Sequence, residues 1–205
     1  MEKYEVLIVD DDADFSESLI AALSRMDVEA RTAQTPADAK FMLRNKAYDC
    51  IICDYQLGNV NGIDLFPEFR AIAQATPIVM LTGHGGVPTA VKALHSGAMD
   101  FLEKPVTPEA LMQAIVSAVE GSKASAELQG LIEEARHALE QLSLRERSVV
   151  QDLASGFTSR QIATKFGTSP RTIESHRSNI LAKLHIKNTA ALVRLAVLAK
   201  LPGSN

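Results

Sequence analysis

Up to about residue 121, short runs of β-branched and other apolar residues alternate with segments of helical period, and that alternation leaves few folds open. The strand-like runs are Glu5 to Val9, Glu29 to Thr32, Asp49 to Cys53, Pro77 to Leu81 and Ala98 to Leu102, and the amphipathic segments lie near 13–25, 36–46, 63–75, 87–96 and 108–121. Five such repeats predict a doubly wound (βα)5 α/β domain: a parallel five-stranded sheet covered by helices on both faces, with chemistry at the carboxyl ends of its strands.

Composition adds a boundary. Residues 1–142 carry 11 Lys/Arg against 22 Asp/Glu, whereas residues 143–205 carry 10 against 3, so stretches of net −11 and +7 are joined in one chain. Segregation of this kind points to an acidic module followed by one that binds nucleic acid. No apolar run approaches the roughly 18 residues of a membrane span, and the start lacks the basic and apolar regions of a secretory signal, so a cytoplasmic protein without a membrane partner is expected. Cys50 and Cys53 form a C-x-x-C, the spacing of redox and zinc motifs. They sit in the strand-like run Asp49 to Cys53, where a separation of three puts the side chains on opposite faces, and they read as core residues.

Beyond the alternation, no proline interrupts the helical signal from Ala110 to Leu142. Leu128, Leu131, Ala135, Ala138 and Leu142 form a seam that suits either a coiled coil or a helical spacer with one apolar stripe. Residues past 142 predict a small all-α domain of four short helices. Ser143-x-x-Glu146 and Thr158-x-x-Gln161 fit capping boxes, Ser169-Pro170 opens a further helix, and Thr189 is the expected cap of the last one. Helices near 159–166 and 170–184, separated by Gly167-Thr168-Ser169, have the helix-turn-helix spacing, with the second helix as the reader of double-stranded DNA. The expected division is therefore a domain over 1–121, a helical linker over 122–141 and a DNA-binding domain over 142–205.

At the strand ends the sequence places Asp10 and Asp11 after the first strand, Asp54 after the third, Thr82 after the fourth and Lys104 beyond the fifth. In a parallel sheet these ends open on one edge. Three carboxylates brought together repel one another, which a divalent cation relieves, and an all-oxygen donor set suits Mg²⁺. One carboxylate could then act as a nucleophile toward a phosphoryl group whose oxygens Thr82 and Lys104 would meet.

These residues, with Val79-Met80-Leu81-Thr82-Gly83-His84-Gly85 and Gly97-Ala98-Met99-Asp100-Phe101-Leu102-Glu103-Lys104-Pro105, resemble the receiver domain of two-component response regulators, the FixJ-like subgroup in particular. The resemblance implies that Asp54 is the phospho-acceptor for a sensor histidine kinase, that Asp10 and Asp11 are the acid pair, and that Asp11 and the backbone carbonyl of Gln56 are Mg²⁺ ligands. It implies that Thr82 and Phe101 are the switch pair, and that the protein is no enzyme beyond its own phosphorylation and dephosphorylation. Gly58 departs from the family, where proline is usual. A second pattern competes: Asp10-x-Asp12, Thr82 and Lys104 also resemble haloacid-dehalogenase phosphatases, with Asp10 as nucleophile and Asp12 as acid/base. That pattern does not require Asp54, and the late acidic pair it needs is missing.

Residues 142–200 resemble the LuxR-type helix-turn-helix through Leu142-Ser143-x-Arg145-Glu146-Arg147, Gly156, Ile162-Ala163, Ser169-Pro170-Arg171-Thr172-Ile173, His176-Arg177-x-Asn179-Ile180, Lys183-Leu184 and Leu192-Val193. Periodicity turns Ile173, Ile180 and Leu184 inward. DNA contacts are then expected from Arg171, Thr172, Glu174, Ser175, Arg177, Ser178 and Lys183. Of these, Arg171, Arg177 and Lys183 suit phosphates, while Glu174, Ser175 and Ser178 suit base edges. His176 is expected to pack or to touch a phosphate. The helix from Thr189 to Lys200 offers Leu192, Leu195, Val197, Leu198 and Leu201, partly to the core and partly, by the resemblance, to a homodimer contact.

Overall fold

The computed structural model describes residues 3–83 and 87–199; His84 and Gly85 of the quoted stretch, and Lys200 and Leu201 of the last helix, lie outside them. The chain divides into two compact units, Met1–Ala126 and Glu127–Asn205.

The first unit is built on β1 (Tyr4–Val9), β2 (Val28–Ala33), β3 (Cys50–Asp54), β6 (Ile78–Thr82) and β7 (Asp100–Glu103), all parallel in the order β2-β1-β3-β6-β7. A strand covered on both faces has no solvent side, so its sequence need not alternate with polar residues. Val6, Ile8, Cys50, Ile52, Val79 and Leu81 face one layer with α1 (Ala13–Leu23) and the start of α5 (Pro108–Glu140). Leu7, Val9, Ile51, Cys53, Ile78 and Met80 face the other with α2 (Pro36–Asn45), α3 (Phe66–Ile72) and α4 (Val87–His95). The two cysteines thus lie in opposite layers, free and buried, and burial pushes the Cys50 thiol up to about 12 and the Cys53 thiol further still, as expected of core residues.

Strand order reverses direction between β1 and β3, and such a switch point opens a crevice at the carboxyl ends of the two strands. Asp10 follows one of these strands and Asp54 ends the other. The segment between β3 and α3 differs from the expected helix over 63–75. The expected segment begins as a 3₁₀ turn over Gly62–Leu65 and is α-helical only over Phe66–Ile72, and ahead of it a small hairpin that was not expected forms from β4 (Gln56–Leu57) and β5 (Val60–Asn61), with Gly58 at φ +58 in its turn. Left-handed backbone at Gly58 makes the tight reversal possible, and Pro67 in its first turn places the α-helix later than the periodicity suggested.

Helix α5 runs 33 residues without a break. Its apolar seam divides: Leu128 and Leu131 are 51% and 53% exposed, while Ala135, Leu139 and Leu142 are buried in the core of the second unit. Leu139 rather than Ala138 is the fully buried member of the last turn, the drift expected when a strict heptad is laid on a straight helix.

The second unit adds α6 (Leu144–Ala154), α7 (Ser159–Phe166), α8 (Pro170–Lys183) and α9 (Thr189–Leu198) around Val149, Val150, Ile162, Ala163, Ile173, Ile180, Leu192 and Ala196. Both capping boxes form, and Ser169 caps α8. Gly167 ends α7 in the left-handed conformation, φ +62, and turns the chain into α8. One cap differs from expectation. Asn188, not Thr189, accepts the hydrogen bond from Ala191 N–H, because Thr189 is already the first helical residue and its hydroxyl is engaged by Arg177.

Candidate functional site

At the crevice, the sheet delivers Asp10, Asp11 and Asp54 so that one carboxylate oxygen from each lies within 4.8 Å of the others. Asp10 is 1% and Asp54 7% exposed, whereas Asp11 is open to solvent. The Lys104 ammonium sits between the two buried acids, 2.6 Å from Asp10 Oδ2 and 2.9 Å from Asp54 Oδ1. The backbone of Lys104 is held to the end of β6, its N–H donating to Thr82 O at 2.7 Å. Asp54 Oδ2 accepts from Gln56 N–H at 3.2 Å and Asp11 Oδ2 from Gly58 N–H at 3.1 Å, so the hairpin after β3 is anchored on the cluster.

The electrostatics follow from burial. Desolvation holds the Asp54 carboxyl above the usual aspartate range; Lys104 pulls it back through a hydrogen bond and its charge, while Asp10 adds to the rise. Burial also works against the Lys104 ammonium, yet hydrogen bonds to Asp10 and Asp54 outweigh it and leave lysine above its ordinary value. Three carboxylates facing one ammonium keep an excess of negative charge among oxygen donors, which is the chemistry a hard divalent cation fits. Thr82 is buried at the end of β6, and Phe101 is half-buried against the layer holding α2, α3 and α4.

In the second unit Arg171, Ser175 and Ser178, spaced by four and three, form one exposed stripe along α8. Four further expected DNA contacts, Thr172, Glu174, Arg177 and Lys183, have side-chain partners within the unit. Arg177 is half-buried and gathers Glu174 Oε1 and Oε2 at 2.7 and 2.9 Å, Ser159 Oγ at 3.1 Å and Thr189 Oγ1 at 2.6 Å, tying α7, α8 and α9 together. Ser159 Oγ donates to Glu174 at 2.6 Å, and this bond first, helped by Arg177, holds the Glu174 carboxyl below its usual range. Thr172 shares the N-cap with Ser169, and Lys183 reaches Glu146 Oε2 at 3.1 Å. His176 is half-buried, in keeping with a packing role.

Comparison with known proteins matches both units. Residues 6–116 fit the response regulator receiver domain, and residues 140–196 fit the luxR family of bacterial regulatory proteins. The transcriptional regulatory protein FixJ of Bradyrhizobium diazoefficiens is 34% identical over 96% of each chain, and FixJ of Azorhizobium caulinodans is 37% identical over 97% of this chain and 94% of its own. Among solved structures, the response regulator StyR superposes with TM-score 0.69 at 30% identity, covering 95% of this chain and 98% of its own. Full-length FixJ from B. japonicum gives 0.58 at 33% identity, covering 98% of each. The chain belongs to the response regulators.

It is a receiver joined to a LuxR-type DNA-binding domain, and the phosphatase alternative falls with that membership. The receiver crevice contains two residues that sequence reasoning passed over. Gly62 lies so close to the Asp54 carbonyl and Cys53 Sγ that a β-carbon there would collide with both. Phe15 sets its ring 4.2 Å from the Lys104 ammonium. In the LuxR-type domain Ser159 and Thr189 were likewise unmarked as partners of Arg177. A glycine directly after the loop polar run, and an aromatic four residues past the acid pair, are the only signals the sequence offered for the first two.

Proposed function

We propose that this response regulator is a transcription factor switched by transfer of a phosphoryl group from a sensor histidine kinase to Asp54. The observation that carries this reading is the position of Asp54: a carboxylate 7% exposed, at the switch point of the sheet, within reach of two further acids and one ammonium. An Asp54 oxygen attacks phosphorus as the bond to the donor breaks. Lys104 neutralises charge on the equatorial oxygens and the Thr82 hydroxyl donates to one of them. Asp10, Asp11, Asp54 and the Gln56 carbonyl would hold Mg²⁺, which supplies further neutralisation of the phosphoryl oxygens. Thr82 and Phe101 then report the modified state to the surface.

In this reading residues 1–121 are the switch, 122–141 the linker and 142–205 the output, and the protein works in the cytoplasm with no catalytic activity beyond its own phosphorylation and dephosphorylation. Phosphorylation favours a homodimer that sets two reading helices on consecutive half-sites of double-stranded DNA. Arg171, Ser175 and Ser178 face the groove, with Thr172, Glu174, Arg177 and Lys183 at its margin. Labelling with a radioactive small phosphodonor tests the acceptor: wild-type protein should incorporate label that Asp54→Ala abolishes, and equal labelling of the two would overturn the assignment. Scattering mass before and after phosphorylation tests the dimer, with an unchanged mass counting against it.

A further inference from the structure

Lys104 has a third partner besides the two carboxylates. The Phe15 ring, 4.2 Å from its ammonium, is held in place by a closed circuit of contacts. Asp10 Oδ1 accepts from Asp12 N–H at 3.0 Å; Asp12 Oδ1 caps α1 by accepting from Phe15 N–H at 3.0 Å; the ring meets Lys104; and Lys104 returns to Asp10 Oδ2 at 2.6 Å. Asp12, which is no member of the carboxylate cluster, thereby fixes the ring relative to the acid that is. Phe15 is half-buried against the layer of α1 and α5.

An aromatic face attracts a cation through its quadrupole, and the attraction strengthens where water is excluded. The Lys104 side chain is 19% exposed, so it is partly shielded. Its other two partners are compromised during the reaction. Asp10 and Asp54 both belong to the carboxylate cluster that would hold a divalent cation, and in the proposed reaction Asp54 gives up an oxygen to phosphorus. The ring is neutral, binds no hard cation through oxygen and is not consumed, so of the three partners it alone is unchanged throughout.

We propose that Phe15 is a positioning residue for phosphoryl transfer: its ring face retains the Lys104 ammonium in the crevice while the Asp10 and Asp54 carboxylates are engaged. The proposal rests on Asp54 being the acceptor. The full chain, as wild type, Phe15→Leu and Phe15→Tyr, is phosphorylated with acetyl phosphate in Mg²⁺, and the initial rate of label entering Asp54 is measured beside a tyrosine-fluorescence melt of the first unit. Phe15→Leu should slow labelling roughly threefold to tenfold, and Phe15→Tyr, which keeps the face, should restore it to within about twofold. A second readout is independent of turnover: in the NMR spectrum the Lys104 Cε protons should be ring-current shifted upfield without metal, stay shifted when Mg²⁺ is added, and lose the shift in Phe15→Leu. Wild-type labelling matched by Phe15→Leu, or a shift that vanishes with Mg²⁺, would overturn the positioning role alone. Wild-type protein that takes no label on Asp54 would overturn the acceptor reading and this proposal with it.

Discussion

Replacing Lys104 with Met keeps most of the side-chain volume and removes the one cation that, among the described residues, Asp10 and Asp54 share. Breaking a buried ion pair by deleting one partner costs about 3–5 kcal/mol, because the remaining charge stays desolvated. Here the side chains of Lys104 and Asp54 keep 19% and 10% of their surface exposed, so water screens part of the penalty, and a loss of about 2–3 kcal/mol near pH 8 is expected. The pH dependence follows from Asp54, whose carboxyl already lies above its ordinary range through burial with Lys104 pulling it back. Without that pull the folded-state pKa rises further. An acid whose folded pKa exceeds its unfolded one contributes stability that is fully present below the unfolded pKa and is lost as pH rises through the folded pKa. The deficit of Lys104→Met against wild type should therefore be small near pH 4 and grow through the folded pKa of Asp54 to its full size above neutrality. The raised pKa of Lys104 itself keeps the wild-type ammonium charged across that range.

Urea unfolding followed by tyrosine fluorescence measures this cleanly. The chain has three tyrosines and no tryptophan, and Tyr4, Tyr48 and Tyr55 all belong to the first unit, so the signal is blind to the second. Millimolar Mg²⁺ should recover much of the variant's deficit at pH 8, since a ligand that binds only the folded state stabilises it by mass action. A deficit equal at pH 4 and pH 8 and untouched by Mg²⁺ would refute the premise that Lys104 balances a repelling carboxylate cluster.

Gly62→Ala forces a β-carbon against the Asp54 carbonyl and Cys53 Sγ, and overpacking of this kind should cost roughly 1–3 kcal/mol in the same tyrosine assay and slow Asp54 labelling in step. Arg171→Ala should lower DNA affinity and reduce the salt slope of binding by about 0.9, the signature of one lost phosphate contact; an unchanged slope in fluorescence anisotropy would remove Arg171 from the backbone. Arg177→Met should weaken binding about tenfold with the slope unchanged, because it releases α7 and α9 from α8 rather than losing a phosphate, and Arg177→Lys should fail to rescue it, having no planar fork to span Glu174 and Thr189.

Strands, the caps Ser143, Thr158 and Ser169 and the buried face of α8 were legible because each follows from local periodicity or from a cap three residues away. Asp10, Asp11, Asp54, Thr82 and Lys104 were legible together because a parallel sheet sends all its carboxyl ends to one edge. What stayed hidden needed partners distant in sequence. The hairpin at Gln56–Asn61 is two short strands whose pairing no periodicity announces. Arg177 was expected to contact DNA because it is basic and adjacent to the stripe; its further use as a tie between helices shows only when Ser159 arrives from 18 residues before it and Thr189 from 12 after it. Thr189 was misread as a cap for the same reason, since a hydroxyl at a helix start has two uses and a long-range donor decides between them.

The ion pairs also relocate the charge of the output domain. Residues 143–205 contain only three acids, and each is paired within the unit: Glu146 with Lys183, Asp152 with Lys165, and Glu174 with Arg177. The excess of seven positive charges therefore belongs to the other bases, of which Arg145, Arg160, Arg171, Lys187 and Arg194 are exposed. Affinity for the phosphate backbone should come from this set, so the salt dependence of binding is expected largely outside α8, whose exposed Ser175 and Ser178 carry no charge beside Arg171. A phosphoryl group on Asp54 makes the acidic stretch more negative and so strengthens its attraction for these same bases. In the proposed reading activation therefore runs through changed contacts at a receiver surface, because the added charge acting alone would oppose DNA binding.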